Sequence, residues 1–489
     1  MNSQTKPKQA ERTRPAHFPL GPVAVALACM SLAAPALAQL PSWNSFVVRG
    51  GSVAVGSGPG NLPITAAGVP SAAGTILPIT QGTARAIIDW QGFSIGPGNA
   101  VNITQQAGPR SVLLNRVTGN ELSTIAGAMT ANGRVFLVNP NGVLFASGST
   151  VNVGGLVASS LQMATSDTDF MAGSERLVFQ QQGSALGTVE NRGSITATGG
   201  GTVALVGGSA VNSGSMVAQG GTAALVSGDA VTVDFAGDGL TTFKVDPGLF
   251  GSVSNSGLVQ ADGGRVVLMT TAGSQVAQGV VNTRGVLRAD TLSSRNGEIV
   301  LDSGSSAAGV TINGGLLSAA GNGPGLKGGT IDVNGRTILL QPFVPPASAV
   351  VLPSPYDSGI IDASGAAGGG HVALHAAAVG GNPQSGAIAV AAGSRISADG
   401  MVAGNGGDIR LLGERTLRAY GTITAKGGAA SGDGGFIETS GGYAVPAGDN
   451  NGGIDVAGLR TDASAPNGTA GQWMIDPFDV TIVNGAASG

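Results

Sequence analysis

NRGSITATGGGTVALV at residues 191–206, NSGSMVAQGGTAALV at 212–226 and NSGLVQADGGRVVL at 255–268 are one phrase written three times. Each copy opens Asn-x-Gly, alternates apolar and polar residues, turns at paired glycines and closes on a Val, Leu and Ala run. Alternation with a period of two marks short strands, and helical periodicity is absent. Weaker copies run through Ile361 to Ala363 with Val372 and Leu374, Ile396 to Ala398 with Ile409 and Leu411, and Ile423 to Ala425 with Ile437. A unit of roughly 20 to 35 residues holding two or three strands cannot bury its own apolar face, so it must stack on its neighbours.

A parallel β-solenoid meets that need. Ile195 and Ala197 point into a narrow interior while Ser and Thr alternate outward. Small side chains fill a thin core, Gly takes corners that need positive φ, and Asn can hydrogen-bond along stacked turns. With strands about 4.8 Å apart, roughly 14 to 20 rungs make a rod about 65 to 95 Å long. A propeller would need a regular period of about 40 to 50 residues, which is not seen.

Composition narrows the function. Of 489 residues 84 are Gly, 42% are apolar, 11% charged and 4% aromatic. Charge this low, with a mean hydropathy of +0.25, argues against a disordered polyampholyte. No Gly-X-Y period supports collagen. The 24 basic against 28 acidic residues leave no footprint for nucleic acid.

At the N-terminus Lys6, Lys8, Arg12 and Arg14 precede an apolar run from Val23 to Ala34, and Ala36-Leu37-Ala38 offers a cleavage site before Gln39. This reads as an export signal, residues 1–38, too short in its apolar part for a membrane span. Cys29, the single cysteine, lies within it, so the exported chain has no disulfides, no thiol catalysis and no cysteine-based zinc site.

An enzyme is not expected. Catalytic β-helices need paired carboxylates or a metal in one groove, whereas Asp262, Asp332, Asp362, Asp399 and Asp433 are scattered and read as solvated loop charges. His371 and His375 share one face of a strand without an evident third ligand, and Gly237-Asp238-Gly239 lacks the repeated nonapeptide that binds calcium. No metal and no cofactor are expected. The Pro-rich stretch 341–358 reads as a connecting loop between rungs.

The region before the repeats is more specific. It contains IDWQGFSI (88–95), VLLNRVTG (112–119), LSTIAGAMTANGRVFLVNPNGVLF (122–145) and VNVGGLVASS (151–160). Asn139-Pro140-Asn141-Gly142 is a strong tight-turn signal after an apolar strand. In this order, over about residues 40 to 170, the segments resemble the two-partner secretion, or haemagglutination-activity, domain of filamentous-haemagglutinin and high-molecular-weight adhesins. A weaker resemblance continues through residues 231–239 and the ending 472–482.

The resemblance implies an all-β chain folded as a right-handed parallel β-helix with an N-terminal cap. It divides the chain into a signal peptide (1–38, cleaved between Ala38 and Gln39), a secretion domain (39–170) and β-helix repeats (171–489) that continue or are truncated. It implies passage through the inner-membrane general export machinery and capture in the periplasm by the recognition domains of an outer-membrane β-barrel transporter. The product is a secreted or surface-exposed adhesin whose host receptor is unknown. The stalk of a contact-dependent toxin or a haem-acquisition exoprotein are the alternatives. Asn115, Arg116 and Val117, with Asn139, Pro140, Asn141 and Gly142, match motifs linked to secretion competence, by shaping the cap or by meeting the transporter. The upstream Asn-Pro-Asn-Leu motif of the filamentous-haemagglutinin branch is missing, which places the sequence closer to the high-molecular-weight adhesins.

Overall fold

The computed structural model describes residues 40–41, 45–56, 69–71, 74–182, 187–236, 239–246, 251–271, 279–293, 295–304, 309–341, 359–378, 385–442 and 452–477. Residues 1–39, and with them Cys29, Ala38 and Gln39, lie outside the described residues, as do Gly237, Asp238 and positions 342–358.

Three long sheets run the length of the molecule, and the chain visits them in turn. One rung is Thr188–Asn191, Ser194–Ala197 and Thr202–Gly207; the next starts at Ser209–Asn212. The repeated phrase thus has a third strand, which ends on its leading Asn. The first sheet has 14 strands, from Phe46–Gly50 to Gln472–Pro477, and all pairings after the first are parallel. The fold is a parallel β-helix. Its first sheet has thirteen strands in parallel register among the described residues, short of the 14 to 20 rungs expected. Gln162–Met163, Arg176–Gln180, Ala230–Asp234 and Thr242–Asp246 leave the solenoid and build a separate sheet.

The cap implied by the resemblance is present over the first rung, and it is built of antiparallel strands. Phe46–Gly50 pairs with Arg85–Trp90, and Val53–Val55 pairs with Gly74–Gln81. They cover an edge that other chains could extend. Below them Gln105 Nε2 donates to Gln81 Oε1 at 2.9 Å, and Gln81 Nε2 donates to the Val112 carbonyl at 3.1 Å, so the two buried amide groups link the first corner to the strand above.

The interior is as thin as the residue types require. Ile195, Met216, Val259, Leu287, Leu317, Ile361, Ile396 and Ile423 stack in one column, all fully buried. Asparagines form a second column. Asn191 Nδ2 donates to Asn212 Oδ1 and Asn212 Nδ2 to Asn255 Oδ1, both at 2.8 Å, and Asn255 Nδ2 continues to Thr283 Oγ1 at 3.3 Å.

Paired glycines divide two tasks. Gly200, Gly220 and Gly263 adopt positive φ (75°, 69° and 66°). Their successors Gly201, Gly221 and Gly264 do not; a Cβ on each would collide with the backbone carbonyl of the glycine one rung earlier, Gly154, Gly201 and Gly221 respectively. The first glycine turns the chain and the second lets rungs approach.

Alternation fails in one place, for a physical reason. Arg85–Trp90, Val112–Val117, Arg134–Val138, Thr202–Gly207 and Thr222–Ser227 are buried on both faces. Their outward residues Leu114, Phe136, Val138, Ala204, Val206 and Val226 are covered by a four-stranded antiparallel sheet, Gln162–Met163, Arg176–Gln180, Ala230–Asp234 and Thr242–Asp246, and by the short helix Asp167–Met171. Phe136 stacks on Phe235 (5.7 Å) and meets Phe170 (6.4 Å), while the Arg85 and Arg134 guanidinium groups lie over Phe170 and Phe235. Outward Thr and Ser, expected at every rung, are replaced here by apolar residues because the surface is a second core. Past this cover the strands return to strict alternation, as in Thr330–Gly335 and His371–Ala376.

Candidate functional site

Asn115, Arg116 and Val117 lie on Val112–Val117, the strand after Arg85–Trp90 in the first sheet. Period two sends Asn115 and Val117 inward and Arg116 outward. Asn115 is fully buried: its Oδ1 accepts from Trp90 Nε1 at 3.0 Å and its Nδ2 donates to the Phe136 carbonyl at 3.2 Å. It holds the large ring that fills the first rung. Arg116 Nε donates to Asp89 Oδ1 at 2.7 Å, and its two Nη groups donate to Asp167 Oδ1 and Oδ2 at 2.5 and 3.0 Å. Burial alone would lower the pKa of Arg116, but hydrogen bonds and Coulomb attraction from Asp167 and Asp89 outweigh it and raise the pKa above its usual value.

The turn at 139–142 follows Arg134–Val138. Asn139 is also fully buried. Its Nδ2 donates to the Glu121 carbonyl and Ser123 Oγ, both at 2.9 Å, and its Oδ1 accepts from the Asn141 backbone N at 3.0 Å, an Asx turn. Gly142 N donates to the Asn139 carbonyl, and Gly142 has φ +109°, with a virtual Cβ 2.8 Å from the Thr188 carbonyl oxygen. Asn141 is exposed and donates to the Gly119 carbonyl at 2.9 Å.

These loops enclose a cleft of about 460 Å³ lined by Asp89, 116–120, Val138, Pro140, Asn141, Gln162 and Met163. The two motifs therefore meet, but only in part: Arg116, Val117, Pro140 and Asn141 line the cleft, whereas Asn115, Asn139 and Gly142 lie behind it. Asp89, Asp167 and Gln162 were not singled out in the sequence. A lone Asp inside the apolar strand IIDW was the available signal for the first of them.

A sequence model of the TPS secretion domain family matches residues 59–315. The chain belongs to that family. The fold agrees with the crystal structure of the HMW1 secretion domain from Haemophilus influenzae, at a TM-score of 0.64 and 26% identity over 88% of this chain and 99% of that one. Two curated relatives, both heme/hemopexin-binding proteins of Haemophilus influenzae, one from strain Rd, are 45% and 44% identical over 82 and 90 residues, or 17% and 18% of this chain. The matched stretch spans about a tenth of those relatives, 9% and 10% of their lengths. The chain therefore carries the TPS secretion domain of a two-partner secreted exoprotein, and that domain implies recognition by an outer-membrane transporter. The family is one of secretion, not of catalysis.

Beyond the cleft, the TPS secretion domain and its following rungs place the remaining candidates apart. His371 and His375 face outward on one strand, yet His371 Nδ1 turns to Asp408 at 3.8 Å and His375 Nε2 to Glu414 at 3.0 Å. No three potential metal ligands gather among the described residues. Two acids expected as solvated charges are buried corner groups instead: Asp262 Oδ1 accepts the Asp290 backbone N–H at 3.1 Å, and Asp399 Oδ1 that of Lys426 at 2.8 Å. A corner leaves backbone N–H groups without ladder partners, and the carboxylates supply them.

Asp302 and Asp332 differ from these, because burial raises both pKa values; for Asp302 the Gly304 N–H at 2.7 Å opposes the shift, and for Asp332 the nearby His371 does. The charged form is disfavoured in the folded state, so the penalty is present above the raised pKa and disappears as pH falls towards the ordinary carboxylate value of about 4. Asp302→Asn keeps the acceptor for Gly304 and removes the charge. It should raise Tm at pH 7, with the gain over wild type shrinking as the scan is moved to pH 4. An equal gain at both values, or a loss at pH 7, would refute this account.

Proposed function

We propose that the cleft between residues 116–120, Pro140–Asn141 and Gln162–Met163 is where the periplasmic recognition domains of the outer-membrane transporter dock. The observation that carries this reading is the division of labour within the motifs: Asn115 and Asn139 are fully buried and bonded inward, while Arg116, Pro140 and Asn141 face one open cleft. In this reading residues 1–38 direct the chain to the inner-membrane export machinery and are removed between Ala38 and Gln39. Residues 39–170 bear the recognition surface, and 171–489 form the rod displayed outside the cell for attachment.

A solenoid of local contacts supports the transport step. Rungs can add one by one onto a capped end as chain emerges, and burial of apolar residues supplies the driving force without a nucleotide. The names of the curated relatives favour a second reading, the rod of a haem-acquisition exoprotein. Their match covers about a tenth of their length, so attachment is the reading preferred here.

The test blocks the cleft without disturbing its frame. Asn120→Arg with Gln162→Arg places bulk at two rim positions, and the full chain is expressed with its transporter. Secretion into the medium should fall at least about tenfold, equivalent to 1.4 kcal/mol of docking energy, while the thermal transition of the purified chain stays within about 2 °C of wild type. Normal secretion of this variant would refute the docking site.

A further inference from the structure

We propose that Arg49, Asp89 and Asp167 are secretion determinants of this domain, acting as the positioning partners of Arg116. The inference rests on the cleft being the transporter's docking site. The four side chains alternate in sign and form one chain: Arg49 Nε to Asp89 Oδ2 at 2.7 Å, Arg116 Nε to Asp89 Oδ1 at 2.7 Å, and the Arg116 fork to both Asp167 oxygens. They come from the cap strand Phe46–Gly50, the strands Arg85–Trp90 and Val112–Val117, and the first turn of the helix Asp167–Met171. No link is local, since the partners are 40, 27 and 51 residues apart.

Each link does something the others cannot. The Asp89 side chain is only 9% exposed and sits between two guanidinium groups; with either absent, a buried carboxylate is left under-compensated. The helix has five residues, too few to hold itself, and is pinned by fully buried Phe170 and by Asp167. Arg116 uses Nε on one carboxylate and both Nη groups on the other, which fixes the plane of a group forming one wall of the cleft. Two positive and two negative charges cancel, so Arg116 offers no free cation to a partner. Its part is shape. The cleft wall is complete only when cap, two rungs and helix have all folded together.

This separates two roles for the motif's arginine. A charge read by the transporter would survive Arg116→Lys; a planar fork would not. The experiment uses the full chain with its transporter and compares Arg116→Lys, Asp167→Ala, Asp167→Glu and Asp169→Ala. Asp169 lies in the same helical turn and bonds Ser166 Oγ, not Arg116, so it controls for loss of a helix N-terminal charge. Two readouts are taken: protein in the medium, and amide exchange over residues 170–172 and 46–50.

Arg116→Lys and Asp167→Ala should speed exchange in the helix about tenfold or more and reduce secretion with it. Asp167→Glu should recover part of both, and Asp169→Ala should secrete as wild type. The inference is overturned if Arg116→Lys and Asp167→Ala loosen the helix yet secrete normally, or if Asp169→Ala matches Asp167→Ala. The Asn120→Arg, Gln162→Arg variant judges the cleft separately: its normal secretion, beside failed secretion of Arg116→Lys and Asp167→Ala, would overturn the docking reading and with it the cleft-wall role given to the ion chain, whereas failed secretion of the rim variant beside normal secretion of Arg116→Lys and Asp167→Ala would overturn the ion-chain inference alone.

Discussion

Trp90→Ala should cost about 3–5 kcal/mol of local stability and abolish secretion. Trp90 is fully buried inside the first rung, with Phe46 of the cap at 5.3 Å and Phe93 edge-on at 5.5 Å. Its removal opens a cavity under the cap and also strips Asn115 Oδ1 of its donor, a further loss of about 1–3 kcal/mol for a buried acceptor. Trp90→Phe separates the terms, since it keeps most of the ring but not the N–H, and should lose about 1–3 kcal/mol. Because each rung contacts only its neighbours, the damage should stay near the cap. Amide exchange is expected to show lost protection over 46–50, 85–90 and 112–117, with strands beyond residue 250 protected as in wild type. Uniform loss along the rod would mean that the solenoid folds as one unit and that the cap argument is wrong.

Gly264→Val is the second large effect, and the reason is space, not backbone conformation. A Cβ at Gly264 would press into the Gly221 carbonyl and lie close to its N as well. Neither atom can move without breaking the register of Thr222–Ser227 with Arg265–Thr270. At least about 3 kcal/mol is expected, the upper range of overpacking, because backbone and not a side chain must yield. Gly148 makes the contrast: its φ is +85° and a Cβ there meets nothing within 4 Å, so Gly148→Ala should cost only the left-handed strain of about 1–2 kcal/mol. Two thermal transitions for Gly264→Val, one for each side of the broken rung, against a single slightly lowered transition for Gly148→Ala, would bear out the distinction. Similar small shifts for both would refute it.

Much of the architecture was readable from the chain because its causes are near neighbours. The Asn-x-Gly and Gly-Gly phrase recurs at each rung since every copy meets the same surroundings, and the Asn191–Asn212–Asn255 column is a direct outcome of that recurrence. The second core was less visible. Leu114, Phe136 and Val138 break the alternation, but nothing local states that the cover is residues 162–180 returning to pair with 230–234.

The candidate site divides in the same way. Asn115-Arg116-Val117 and Asn139-Pro140-Asn141-Gly142 stand out in the sequence, yet which of them face outward depends on strand phase and on a turn held from behind by Glu121 and Ser123. Asp89, Arg49 and Asp167 carry no motif; Asp89 meets Arg116 as its register partner on the next rung, whereas Arg49 and Asp167 reach their partners from the cap and the helix at separations that follow no period.

By itself, then, the sequence determined a solenoid with a thin core, glycine corners and stacked asparagines, since period-two alternation and rung-to-rung contact are properties of short stretches repeated, while its cap was legible only through the family resemblance. Only the tertiary structure decided that the two motifs share one cleft, that their asparagines are its hidden frame, and that Arg116 is held by two carboxylates. Gln162 and Met163 of the cleft and the second carboxylate, Asp167, come from a non-repeating insertion folding back onto the first rungs, and the packing that closes it joins residues whose spacing along the chain carries no signal.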